Sequence, residues 1–130
     1  MIGVDLFDLN RQVYFTDKKL IERFFFPSEQ CLIFNSNHPT KLACKLFCCK
    51  EVTYKILHNL FPNFSLNKFL IEVSYINFVF KVKFHTENYQ IDDERRIALK
   101  KINFTQFYFS DSDENNYLMM VGVYQPLITF

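Results

Sequence analysis

The chain has 130 residues, a formal net charge of +1 and a composition in which 49% of the residues are hydrophobic. This length suits one domain with a sizeable core, and the near-neutral charge lacks the basic excess that typically marks a nucleic-acid-binding protein. Only two glycines and four prolines are present, which argues against glycine-rich phosphate loops and disordered linkers.

The first 38 residues predict a small mixed β-β-α-β module. Residues 2–6 alternate in polarity as a strand does, and residues 12–15 resume that pattern after a turn-forming Asp-Leu-Asn sequence. A short helix follows over residues 18–26, and residues 31–34 predict a brief strand. These elements form the first of two predicted modules.

The middle of the chain predicts a long helix followed by two strands. Residues 40–61 repeat their apolar positions at helical spacing, as one helix or two. Residues 69–84 alternate in polarity with a change of phase, which predicts a bulge or tight turn near Tyr75 and Ile76. The predicted buried face of the second strand comprises Ile76, Phe78, Phe80, Val82 and Phe84, and Lys81 and Lys83 are expected in solvent.

The last third predicts a helix and two further strands. Acidic residues precede basic ones over residues 92–101, as a helix dipole favours. Residues 102–109 predict a strand, 110–116 a polar loop, and 117–124 a central strand covered on both faces. The predicted fold class is therefore α/β or α+β. A long helix and a β-β-α-β-β unit form a second module over residues 39–130, and one continuous domain is the alternative.

The four cysteines all fall in the first half of the chain without the spacing of zinc ligands. Free thiols of this kind are typical of a reducing compartment. No apolar run approaches the ~20 residues of a membrane span, and no signal peptide is recognisable. We therefore expect a cytoplasmic or nuclear protein that contacts no membrane and carries no metal or cofactor.

A few residues have side chains suited to catalysis. His85 follows a strand and could act as a general acid or base. Lys100 or Lys101 could stabilise a developing negative charge, and Tyr75 could act as a base if its pKa were perturbed. Each also has an ordinary structural explanation. The acidic residues from 111 to 114 resemble the start of a metal loop but lack its glycine and distal acid, so a solvated loop is expected.

Several stretches resemble the tRNA-splicing endonuclease family. The stretches are IGVDLFDLNRQVYFTDKKLIERFF, VTYKILHNLFPNFSLN, FVFKVKFHTENYQI and RIALKKINFTQFYFSDSDENNYLMMVGVYQP. The resemblance implies a nuclease-like module and RNA cleavage without metal, with a tyrosine as base, a histidine as acid and a lysine stabilising the transition state. Tyr75, His85 and Lys101 are the nearest matches. Because Tyr75 fits poorly and the glycine-rich segment of the family is absent, the resemblance favours the small non-catalytic subunit.

That interpretation implies a structural role in removing introns from precursor tRNA, through association with partner subunits in a homo- or hetero-oligomer. The predicted interface residues are Leu118, Met120, Tyr124, Leu127, Ile128 and Phe130. Two alternatives remain open. One is an active RNA endonuclease subunit that uses His85 and Lys101. The other is a viral or lineage-specific protein–protein interaction module.

Overall fold

The computed structural model describes residues 1–126, and for residues 12–14 the backbone only. The strands are β1 (Ile2–Asp8), β2 (Ile71–Ile76), β3 (Val79–Phe84), β4 (Phe107–Glu114) and β5 (Tyr117–Tyr124). The helices are α1 (Lys18–Phe24), α2 (Pro27–Phe34), α3 (Pro39–Leu60) and α4 (Asp93–Lys100). Short 3-10 segments span Leu9–Phe15, Lys68–Leu70 and Phe104–Gln106.

Two antiparallel sheets surround the long helix α3. The larger sheet has the strand order β1-β5-β4, and β2 and β3 form a separate hairpin. Helix α3 packs against β1 and β5 on one side and against β2 and the helix α2 on others. This mixed α+β arrangement confirms the predicted fold class.

Helix α3 approaches the larger sheet at a pair of glycines. Gly3 of β1 and Gly122 of β5 are directly opposite in the register. A Cβ atom on Gly122 would lie 2.4 Å from Cγ1 of Val52, and one on Gly3 would lie 3.0 Å from the carbonyl oxygen of Val52. Since non-bonded carbon atoms prefer about 3.5–4.0 Å, a side chain at position 122 would displace Val52 or α3, and one at position 3 would require a smaller shift.

The β2–β3 hairpin confirms much of the predicted strand pattern. Its tight turn falls at Asn77 and Phe78, both with positive φ, close to the predicted change of phase. Phe80, Val82 and Phe84 are buried, while Lys81 and Lys83 are exposed. Ile76 and Phe78 were wrongly assigned to the buried face, because residues at the turn project beyond the core and are 66% and 90% exposed.

Other local predictions were wrong. Residues 31–34 belong to helix α2 rather than to a strand. This helix begins at Pro27 and is capped by Glu29, whose Oε1 accepts a hydrogen bond of 2.8 Å from the Phe26 amide. Residues 12–15 lie in a 3-10 segment. The predicted loop over 110–116 is mostly strand, with a two-residue turn at 115–116 that has positive φ at both asparagines, as a type I′ turn requires.

The two predicted modules share the larger sheet. Strand β1, from the first module, pairs along its length with β5, from the second. Helix α3 then packs across both strands. We therefore propose one continuous domain, which was the alternative left open by the sequence.

Candidate active site

Two carboxylates and two lysines meet between β1 and α3. Asp5 Oδ1 lies 3.1 Å from Nζ of Lys55, which also donates a hydrogen bond of 2.9 Å to the carbonyl oxygen of Val4. Glu51 forms an ion pair with Lys68. The side chains of Asp5 and Glu51 are only 16% and 17% exposed. This group of Asp5, Glu51, Lys55 and Lys68 is called the carboxylate–lysine cluster below.

The thiol of Cys48 lies beside both acids of the cluster. Burial is the main cause that raises the pKa of Cys48, and the nearby carboxylates of Asp5 and Glu51 raise it further. Asp5 binds Lys55, which lies one turn from Glu51 on α3, so the two acids are brought to the same place although one is on a strand and the other on a helix.

Local structure explains how each member reaches the cluster. In β1 the residues facing α3 are Gly3, Asp5 and Phe7, since Ile2, Val4 and Leu6 point outward. Glu51 and Lys55 are four residues apart on α3, which places them on one face of the helix. Lys68 lies in the 3-10 segment before β2, with its Nζ 5.2 Å from the ring centroid of Phe47.

The cluster has the chemistry of a cation and phosphate site. Mg²⁺ is commonly held by one or two carboxylates together with oxygens of a substrate phosphate, and lysines neutralise the remaining phosphate charge. Within residues 1–126 no group of three or more His, Cys, Asp or Glu side chains is arranged to hold a metal. A cation at Asp5 and Glu51 would therefore take its other ligands from water or substrate.

The residues predicted to be catalytic lie elsewhere and apart from one another. His85 Nε2 lies 2.7 Å from Glu72 Oε1, and the His85 ring stacks on Phe26 at 4.2 Å. Tyr75 stacks on Phe80 near the opposite end of the hairpin, 4.3 Å between centroids. Lys101 is the exposed C-cap residue of α4. The structure does not bring these three side chains together.

Three of the predicted interface residues are inside the chain. Leu118 and Met120 are completely buried and Tyr124 is 6% exposed, because these alternate positions of β5 face α3. The exposed residues of β5 are instead Tyr117 and Met119. Leu127, Ile128 and Phe130 lie outside the described residues. Strand β5 is central, as predicted, but only one of its faces is covered.

The family is decided by a match over most of the chain. Residues 1–121 match the family model described as the 4'-phosphopantetheinyl transferase superfamily. The chain belongs to the 4'-phosphopantetheinyl transferase superfamily. No curated protein sequence gives a significant match.

Solved structures share the fold of this superfamily member. The holo-[acyl-carrier-protein] synthase of Helicobacter pylori, in complex with coenzyme A, is 20% identical with a TM-score of 0.66, over 96% of this chain and 100% of that one. The Neisseria meningitidis enzyme is 16% identical with a TM-score of 0.69, over 96% and 97%. The Plasmodium yoelii enzyme is 20% identical with a TM-score of 0.63, over 93% and 90%. At these identities the likeness establishes the fold.

These comparisons correct the predicted identity. The resemblance to the tRNA-splicing endonuclease family was wrong, because residues 1–121 match a different family and the quoted motifs are degenerate. The structural-subunit, active-endonuclease and interaction-module interpretations fall with it. The comparisons give no support to precursor tRNA as a partner or to a nuclear location. None of the helices in residues 1–126 is long and apolar enough to span a membrane.

Sequence reasoning missed every member of the carboxylate–lysine cluster. Alternation over residues 2–6 predicted a strand without saying which face is covered, and the structure leaves Ile2, Val4 and Leu6 exposed. The available signal was Gly3, because a glycine within a strand often marks the face that another element approaches closely. Asp5 is two residues further along the strand and therefore lies on the same face. Glu51 carried no distinguishing signal among the charged residues of α3.

Proposed function

We propose that this chain transfers 4'-phosphopantetheine from coenzyme A to an acceptor hydroxyl of an acyl carrier protein. The superfamily assignment supports the transferred group, and the names of the structural neighbours suggest the donor and the acceptor protein. The observation that carries the proposal is the carboxylate–lysine cluster, which pairs two sheltered acids with two lysines.

The reaction is a phosphoryl transfer. The acceptor oxygen forms a bond to the phosphorus that bears the pantetheine, and the bond from this phosphorus to the bridging oxygen of the pyrophosphate breaks. Adenosine 3',5'-bisphosphate leaves with the bonding electrons, and the acceptor hydroxyl gives up its proton to water. Catalysis of such a transfer depends on positioning and on neutralising charge, rather than on covalent participation of the protein.

The cluster fits a magnesium ion. Asp5 and Glu51 would hold it through their two carboxylates. Oxygen ligands, two in number, suit Mg²⁺ bound together with a diphosphate. Both side chains are largely sheltered and lie near the buried Cys48 thiol. When bound, the ion supplies positive charge to the pyrophosphate. Lys55 and Lys68, which neutralise the acids here, lie where their ammonium groups can bind phosphate oxygens. Asp5 and Glu51 orient the donor, and the lysines offset charge on the leaving group.

The test is transfer to a panel of apo acyl carrier proteins with coenzyme A and Mg²⁺, read by mass spectrometry of the carrier protein. We expect the mass gain of one phosphopantetheinyl group. Asp5→Asn and Glu51→Gln should each lower the rate roughly 100-fold or more, the typical loss for a group that stabilises transition-state charge. The control is Asp93→Asn on α4, whose side chain is 92% exposed. No mass gain with any carrier protein, or a full rate for Asp5→Asn, would refute the function.

We also propose that the outer face of the larger sheet binds further copies of this chain. Several apolar side chains on this face are 41–63% exposed, namely Ile2, Val4, Leu6, Tyr108, Tyr117 and Met119. Such a contiguous apolar patch is rare on a monomer. Because the middle of the face carries no charge, an equally apolar surface, the same face of another copy, is the partner it fits.

Light scattering of the purified chain tests this association. We expect an oligomer that dissociates in the double variant Leu6→Lys/Met119→Lys. The control is Ile97→Lys, which replaces an apolar residue of α4 that is 61% exposed and lies away from the sheet. A wild-type chain that is monomeric at micromolar concentration would contradict the proposal.

A further inference from the structure

A fully buried ion pair involves the residue that precedes Glu51 of the carboxylate–lysine cluster. Lys50 Nζ is 2.8 Å from Glu29 Oε1, and both side chains are 0% exposed. The Lys50 ammonium also lies 5.4 Å and 5.2 Å from the ring centroids of Phe25 and Phe26. Lys50 immediately precedes Glu51 in α3, and its side chain turns away from the cluster into the core.

Both members of the pair also form hydrogen bonds with backbone groups. Lys50 Nζ donates a bond of 2.7 Å to the carbonyl oxygen of Ile71. Glu29 Oε2 accepts a bond of 2.8 Å from the Val73 amide, and Oε1 accepts another from the Phe26 amide. One ion pair thus joins the start of α2, the middle of α3 and the first residues of β2.

Two of these backbone segments carry members of the cluster. Glu51 follows Lys50 in α3. Lys68 lies in the 3-10 segment that leads into β2 three residues before Ile71. The distance between the Glu51 carboxylate and the Lys68 ammonium therefore depends on how α3 is joined to the start of β2, and the Lys50–Glu29 pair supplies directed bonds at that junction.

Stability alone is a weak reason for such a pair. Removing two charges from water is costly, and a buried ion pair can often be replaced by apolar residues of similar volume without loss of stability. What apolar residues cannot reproduce is the set of directed bonds to Ile71 and Val73. Those bonds set one register of α3 against β2.

We propose that Lys50 and Glu29 are positioning residues, which hold Glu51 and Lys68 at the separation needed to bind a divalent cation together with the diphosphate of coenzyme A. This inference rests on the proposed function of the cluster. It assigns the pair a role in ligand affinity that is separable from its role in folding.

The test compares folding with ligand affinity in the double variant Glu29→Leu/Lys50→Met, which keeps the side-chain volume and removes both charges. Melting temperature reports the fold. Electron paramagnetic resonance of Mn²⁺ in the presence of coenzyme A, and calorimetric titration of coenzyme A, report the cluster. We expect a folded protein with a lower melting temperature, because the Phe26 and Val73 amides and the Ile71 carbonyl lose their partners. At temperatures well below that melting point we expect a loss of affinity of about 10-fold to 100-fold, the range for residues that orient metal ligands.

The matched control is Lys45→Met/Asp111→Leu. It removes another ion pair of α3, with 3.0 Å between Lys45 Nζ and Asp111 Oδ2, which joins the helix to β4 rather than to β2. We expect its affinity for Mn²⁺ and coenzyme A to stay within about 2-fold of the wild type, because the register of α3 against β2 is kept.

The outcomes separate the two proposals. A folded Glu29→Leu/Lys50→Met variant with wild-type affinity overturns the positioning role and leaves the proposed function intact. A wild-type chain that binds neither Mn²⁺ nor coenzyme A overturns both. Should the double variant fail to fold, Glu29→Gln/Lys50→Met replaces it, since the amide keeps one acceptor oxygen for a backbone amide and no buried charge is left without its partner. A smaller loss of affinity is expected there, and wild-type affinity in that folded variant overturns the inference.

Discussion

Substituting Gly122 by alanine tests the close approach that holds α3 against the larger sheet. The new methyl group would lie 2.4 Å from Val52 Cγ1 and 3.1 Å from two ring atoms of Phe109. Carbon atoms separate to about 3.5–4.0 Å, so the helix or Val52 must move by roughly 1 Å. Overpacking of this kind lowers the free energy of unfolding by about 1–3 kcal/mol. A loss of ~2 kcal/mol should lower the melting temperature by roughly 5–10 °C in a domain of this size.

A double-mutant cycle with Val52→Ala tests whether the Val52 side chain is the group that the new methyl group displaces. Val52 is completely buried, and its truncation alone should cost about 2 kcal/mol. In the double variant the alanine at position 122 occupies space that the valine vacates. The combined loss should therefore fall short of the sum by about 1–2 kcal/mol, as measured by urea denaturation of all four proteins.

Gly3→Ala is the control for this cycle. A methyl group there would meet the backbone oxygen of Val52 at 3.0 Å, which truncation of the valine side chain leaves in place. Val52→Ala should therefore rescue Gly3→Ala less than it rescues Gly122→Ala. Additive losses for Gly122→Ala and Val52→Ala, within about 0.5 kcal/mol, would refute the steric explanation.

Three further predictions concern the hairpin, the acid response and the cysteines. Phe80→Ala should lower the free energy of unfolding by about 3–5 kcal/mol in urea denaturation, because Phe80 is 4% exposed and stacked on Tyr75; a loss below 1 kcal/mol would contradict its place in the core. Burial acts to raise the pKa of Glu72, but hydrogen bonds with His85 and Ser28 hold that pKa below its usual 4.5. Its stabilising contribution is then present above pH 4.5 and is lost as the pH falls through the lower folded-state value, so Glu72→Gln should flatten the acid side of a stability–pH profile; an unchanged slope would contradict this. Cys31 is exposed and the other three cysteines are buried, and burial raises the pKa of Cys44 to about 12. Ellman's reagent should therefore modify one thiol in the native protein and four in urea. Rapid modification of more than one thiol in the native protein would contradict the burial.

The spacing of apolar residues in the sequence predicted those elements that are formed by local contacts, between residues close together in the chain. Alternation over residues 69–84 predicted the β2–β3 hairpin and its turn, because two strands joined by a tight turn pair through local contacts. Helical spacing likewise predicted α3 as a long helix. For residues 31–34, by contrast, four apolar residues fit a buried strand or one turn of helix equally well, and the cap supplied by Glu29 decided for the helix.

The candidate site depended on contacts that periodicity does not report. Alternation in β1 indicates that Asp5 and Leu6 face opposite sides of the strand. It does not indicate which of the two sides α3 covers. That choice is made when β1 pairs with β5 from the other end of the chain and the two glycines at positions 3 and 122 admit the helix. The sequence by itself therefore determined the hairpin, the long helix and the mixed class. Only the tertiary structure brought Asp5, Glu51 and Lys68 to one site. The reason is that α3 packs against both β1 and β2, whose residues are distant from one another in the sequence.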